Sequence, residues 1–161
     1  IKTVLVDDKS SETNLNRIKN LIKNQDVEIV QLNHQKFRSV IKDQNNEETF
    51  SNLTSLKQSF EIGKNQGNDL IFFLEDDYLH FESMIEEMIA SYERIASQVE
   101  KDIFMCPSDY PYLYINNEMT NILIGNKRHW RIINKTLCTF LTSKKLLDKH
   151  WQNFSKTFTR K

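Results

Sequence analysis

The sequence predicts an α/β fold, a three-layer sandwich in which helices cover a mainly parallel central sheet. Short apolar, β-branched runs alternate with segments of helical spacing, in the order β-α-β-α-β-α-β. The most hydrophobic run, Asp69-Leu70-Ile71-Phe72-Phe73-Leu74, is short and bounded by polar residues, as a central parallel strand is. The 161 residues, 39% hydrophobic with ten Phe, five Tyr and two Trp, fill one core of ordinary size and leave no room for a second. One domain over residues 1–161 is therefore expected, with a binding part over 1–106 and the start of a further part over 107–161.

Each element has its own signal. Val4-Leu5-Val6 is a strand stopping at Asp7-Asp8, and Ser10-Ser11 with Glu12 nearby supplies the cap of a helix over Ser11 to Asn24, where Leu15, Ile18, Leu21 and Ile22 recur at helical spacing. Val27 to Leu32 is the second strand. The polar stretch from Asn33 to Glu48 reads as a loop with one helical turn around Phe37 to Ile41. Phe50, Leu53, Leu56, Phe60 and Ile62 mark a helix that ends near Gly63 or Gly67. After the central strand, Met84, Ile85, Met88, Ile89, Tyr92 and Ile95 form the buried side of a helix over Glu82 to Gln98. Asp102 to Cys106 is a strand ended by Pro107. Four short β-like runs follow, Tyr112 to Ile115, Asn121 to Ile124, Arg131 to Ile133 and Leu137 to Leu141, before a helix over Ser143 to Phe154.

Composition excludes several classes. Three Gly and two Pro leave no Gly-rich phosphate loop of the Walker or dinucleotide type and no Pro-rich linker. No apolar run reaches the roughly 18 to 20 residues that span a bilayer, so a soluble, cytoplasmic protein is expected, peripheral to a membrane at most. Cys106 and Cys138 lack a CxxC partner and read as buried free thiols. The chain opens at Ile1 directly on a strand, which leads us to expect a partial domain whose first elements are missing. The zero net charge hides segregation: residues 69–120 carry 12 acidic and 2 basic side chains, residues 121–161 carry 1 and 10. Carboxylates that hold a cation beside basic groups that hold an anion would give this pattern. The tail lacks the alternation of aromatic and basic residues that a nucleic-acid platform needs, so nucleic acid is not an expected partner.

Two acidic clusters sit at the C-terminal ends of expected parallel strands, where open α/β sheets bind ligands: Asp7-Asp8, and Glu75-Asp76-Asp77. Adjacent carboxylates repel, and Mg²⁺ or Mn²⁺ favours such oxygen ligands shared with phosphates. Val4-Leu5-Val6-Asp7-Asp8-Lys9-Ser10-Ser11 resembles the strand-Asp-Asp-x-Ser signature of GT-A glycosyltransferases, especially glycosyltransferase family 2. Leu70 to Leu79, with Glu75-Asp76-Asp77, resembles the same family's variant of the Asp-x-Asp metal motif. The resemblance spans residues 1 to 106. It implies a GT-A, Rossmann-like fold and inverting transfer of a sugar from a nucleotide-sugar donor, most simply a UDP-sugar, to a glycan, lipid-linked or protein acceptor. It further implies Mn²⁺ or Mg²⁺ held by Asp77 with Glu75, nucleotide binding by Asp7, Asp8 and Asp76, and contact of Asp8 with the uracil ring.

Beyond that span, Lys127-Arg128-His129-Trp130-Arg131 offers Arg128 or Arg131 for a phosphate or acidic acceptor and Trp130 for stacking on a sugar. A basic strand edge would read the same way. His129 is a further candidate metal ligand. No residue stands out as the general base. Asp109 and Asp148 are the candidates, but Asp148 lies four residues after Lys144, as in a helix surface ion pair, and the base is expected beyond Lys161. Two other classes fit in part: a phosphoacceptor receiver-like domain with Asp77 as acceptor, and a GT-A-like binding domain without turnover.

Overall fold

A computed structural model describes residues 1–41, 46–115 and 119–158. The chain divides into two compact units, residues 1–62 with 151–161, and residues 63–150. The boundary falls inside one long helix.

In the first unit, β1 (Thr3–Asp7) and β2 (Val27–Gln31) pair in parallel, from Thr3 opposite Val27 to Asp7 opposite Gln31. Between them runs α1 (Glu12–Leu21), capped by the Ser11 hydroxyl, which accepts from the Asn14 N–H. The expected loop from Asn33 holds α2 (His34–Phe37), capped by the Asn33 side chain, and residues 42–45 of that loop lie outside the described residues. The Asn46 side chain accepts from the Thr49 N–H at 2.6 Å at the start of α3 (Glu47–Gln66). Phe37, Ile41 and Phe50 form a buried cluster with Leu53 against it. The Gln58 carboxamide joins α3 to the end of β2, accepting from the Asn33 N–H and donating to the Gln31 carbonyl. Lys57 is buried with its ammonium over the rings of Phe37 and Phe158 and paired with Glu61 at 2.8 Å. Burial pushes the Glu61 carboxyl up, but Lys57 and Lys36 together hold it below the usual range.

The second unit overturns the expected mainly parallel sheet. Its three-stranded sheet is ordered β3 (Leu70–Phe73), β7 (Phe140–Ser143), β4 (Phe104–Met105), and β7 runs antiparallel to both neighbours. The helical connection from β3 to β4 does return the chain in the same direction, but the two strands are not bonded to each other. A late segment lies between them with the opposite sense. The only parallel pairing among the described residues is β1 with β2. Periodicity and apolar runs report how a strand is covered, not the direction of its neighbour, so β3 looked the same in sequence either way.

All four residues of β7 are buried. Against this sheet lies α4 (Met84–Val99), which puts Met88, Tyr92 and Ile95 into a cluster with Met105 and Leu141. Ile85, expected on that side, is exposed, because Glu87 and Ser91 occupy the buried flank instead. The last turn of α3 approaches β3 closely. A Cβ on Gly63 would meet the Phe73 ring at 2.6 Å, and one on Gly67 the Gly63 carbonyl oxygen at 2.5 Å. Residues 111–114 form a 3-10 turn led by Pro111, not the expected strand, since the proline fixes φ for a turn. The strands β5 (Ile122–Ile124) and β6 (His129–Arg131) make an antiparallel hairpin, and the expected C-terminal helix is two, α5 (Lys144–Lys149) and α6 (Trp151–Thr157).

The Thr142 hydroxyl in β7 is buried without a hydrogen-bond partner among the described residues. Thr142→Val keeps the shape and removes the orphaned group, and is expected to raise stability by about 1 kcal/mol in denaturant unfolding. A loss of stability would reveal a partner for the hydroxyl.

Candidate functional site

The acidic turn follows β3. Glu75 leaves the strand with its N–H on the Thr139 hydroxyl at 3.1 Å, and Thr139 lies 3.3 Å from the Glu75 carboxylate. Burial raises the Glu75 carboxyl above its ordinary value, and Asp77 and Asp76 add to this against the opposing bonds from Thr139 and the Cys138 N–H. Asp76 and Asp77 are exposed on the turn. Among the described residues no Lys, Arg or His forms an ion pair with any of the three. Nor do three potential ligand side chains gather there or elsewhere among the described residues. Asp76 and Asp77, successive and exposed, could give a hard divalent cation one or two oxygen ligands while phosphates and water give the rest.

In the first unit, Asp7 and Asp8 part company. Asp7 is 4% exposed and braces its own turn, accepting from the Ser10 N–H at 3.3 Å and Gln31 Nε2 at 2.9 Å. The Ser10 hydroxyl leads in holding its carboxyl below the usual range, against burial, with Gln31 and the Ser10 N–H adding to it. Lys9 takes a left-handed φ of 59° so that the chain can turn there. Asp8 faces outward, with Oδ1 2.6 Å from His34 Nε2 and Oδ2 accepting from the Ser51 hydroxyl. Burial pushes its carboxyl up, and Ser51, His34 and Lys9 more than offset this. A uracil N3–H would have to use the lone pairs that these partners leave. Neither His34 nor Ser51 carried a sequence signal, because they reach Asp8 from 26 and 43 residues away.

The basic segment divides in the same way. Trp130 is anchored inward, with Nε1 donating to Ser91 Oγ at 3.0 Å and Glu87 Oε1 at 3.4 Å. Arg128 lies over the Phe81 ring, 4.6 Å from its centroid, beside a shallow cleft lined by Glu82, Ser83 and Glu86. His129 is exposed. Arg131 donates through Nε and Nη2 to Asp109 at 3.1 and 2.5 Å, and the Tyr114 hydroxyl donates to the same carboxylate. Arg131 foremost holds the Asp109 carboxyl below its ordinary range, which leaves a weak base. Asp148 is paired with Lys144 one helical turn away.

Sequence reasoning missed Glu87, 4% exposed on α4. Its carboxylate accepts from the Lys127 N–H at 2.7 Å, the Arg128 N–H at 3.1 Å and the Ser91 hydroxyl at 2.8 Å, and so fixes the β5–β6 turn. It also missed the link between the Tyr78 and Tyr110 hydroxyls, 2.9 Å apart. No helix among the described residues is long and apolar enough to cross a membrane. Comparison with protein-family models, curated proteins and solved structures finds no match.

Proposed function

We propose that the chain binds the diphosphate of a nucleotide sugar at the acidic turn after β3, with a divalent cation, in the service of glycosyl transfer. The observation that carries this reading is the turn itself: Glu75, Asp76 and Asp77 follow one another after β3 with no cationic partner among the described residues, and burial foremost, then Asp77 and Asp76, raises the Glu75 carboxyl. The proposal rests on this donor set and on the motif resemblance, not on the sheet. Asp77 and Asp76, exposed, are the residues that would hold Mn²⁺ or Mg²⁺, with Glu75 held beneath them by Thr139. The bound cation would neutralise charge on the departing nucleoside diphosphate. Asp109 and Asp148 are both tied into ion pairs, so we expect nucleotide binding without fast sugar transfer by these residues.

Calorimetric titration of UDP with and without Mn²⁺ tests the reading. UDP should bind more tightly with Mn²⁺, and Asp77→Asn should weaken that binding by roughly tenfold or more with an unchanged melting temperature. Manganese-independent binding, an unaffected mutant, or covalent labelling of Asp77 by acetyl phosphate would overturn it.

A further inference from the structure

Immediately after the acidic turn the second unit carries an aromatic cluster that the proposed diphosphate site does not use. Tyr78 meets Tyr110 with ring centroids 6.2 Å apart in an edge arrangement, and Tyr110 stacks on Tyr112 at 5.5 Å with the planes 15° apart. Tyr114 lies under the Arg131 guanidinium, 4.6 Å from its centroid, and Arg131 is locked to Asp109. The cluster is preorganised. Pro111 starts the 3-10 turn, Leu113 anchors it at 6% exposure, and the Leu113 N–H bonds the Tyr110 carbonyl. Yet Tyr112 and Tyr114 remain 43% and 67% exposed.

We infer that this tyrosine cluster is a platform for a neutral carbohydrate. A pyranose presents an apolar C–H face bordered by hydroxyls, and it is matched by an exposed aromatic face bordered by planar donors and acceptors. Tyr112 and Tyr114 supply the faces. The Asp109–Arg131 pair and the tyrosine hydroxyls supply the polar border. The paired Arg131 brings no free positive charge, and residues 69–120 carry 12 acidic against 2 basic side chains, which disfavours nucleic acid, and any phosphorylated ligand that comes without a divalent cation. The sugar's role as acceptor rests on the glycosyl-transfer reading, whereas its binding to the tyrosines does not.

The test is saturation-transfer NMR and calorimetry of the whole chain with cellobiose, lactose, maltose and N,N′-diacetylchitobiose, without metal or nucleotide. At least one disaccharide should bind saturably. Tyr112→Ala should weaken binding roughly five- to tenfold, while Tyr112→Phe, which keeps the ring, should not. Circular dichroism of both variants checks that the fold is retained. Absence of binding by all four sugars, or equal affinity in the Tyr112→Ala protein, overturns the inference. Because no metal or UDP is present, that failure is distinct from failure at Asp77.

Discussion

Glu87→Ala is expected to destabilise the protein by about 3 to 5 kcal/mol, the range for removing one partner of a buried charged network. The carboxylate is 4% exposed and is the shared acceptor for the Lys127 and Arg128 N–H groups and the Ser91 hydroxyl, with the Trp130 indole at its edge. Truncation would orphan the two backbone donors and open space beside Trp130, and each buried donor left without a partner costs about 1 to 3 kcal/mol. Glu87→Gln keeps one oxygen acceptor and should lose less. The pH dependence follows from the direction of the shift. Burial pushes the Glu87 carboxyl up, but the donors together hold it below its ordinary value, so its folded pKa lies under the unfolded one of about 4.3. Its stabilisation is then fully present above that unfolded value and is lost as pH falls through the folded pKa. The gap between wild type and Glu87→Gln in urea unfolding should therefore narrow on acidification below about pH 4.3. A gap independent of pH would remove the charge from the account.

Phe37→Ala should cost a similar amount, about 3 to 5 kcal/mol, because the ring is 1% exposed and its removal leaves a cavity between Ile41, Phe50 and Leu53. Two ammonium groups lie over the ring, Lys36 Nζ at 4.8 Å and Lys57 Nζ at 5.3 Å from the centroid. Losing the face beneath buried Lys57 adds about 0.5 to 2 kcal/mol. Phe37→Leu keeps most of the volume without the π face and should cost under about 1.5 kcal/mol. Equilibrium denaturation of the two variants separates packing from the cation contact. A loss below about 1 kcal/mol for the alanine variant would show that the ring is not a core group.

Phe37 also marks how far the sequence could be read. It lies in a polar stretch, and one helical turn from Phe37 to Ile41 is too short a period to distinguish a buried anchor from a loop residue. The cap at Ser11 was legible, as were the start of a helix near Ser143, the end of α3 before Gly67 and the helical stripe of Met88, Tyr92 and Ile95. These signals act within a few residues. The acidic turn was visible for the same reason, since an apolar run that breaks into three carboxylates is a local pattern.

Local patterns along the chain are enough for the order of most elements, the cap at Ser11 and the acidic turn that follows β3. Long-range contacts are what set β7 between β3 and β4 in the opposite sense, pair Asp8 with His34 and Ser51, make Glu87 a buried acceptor for the β5–β6 turn, and bring Tyr78 to Tyr110. Each of these depends on partners 26 or more residues apart. Local periodicity records which side of an element is covered, while strand direction, hydrogen-bond partners and the pKa shifts they cause are fixed only when distant segments are brought into contact.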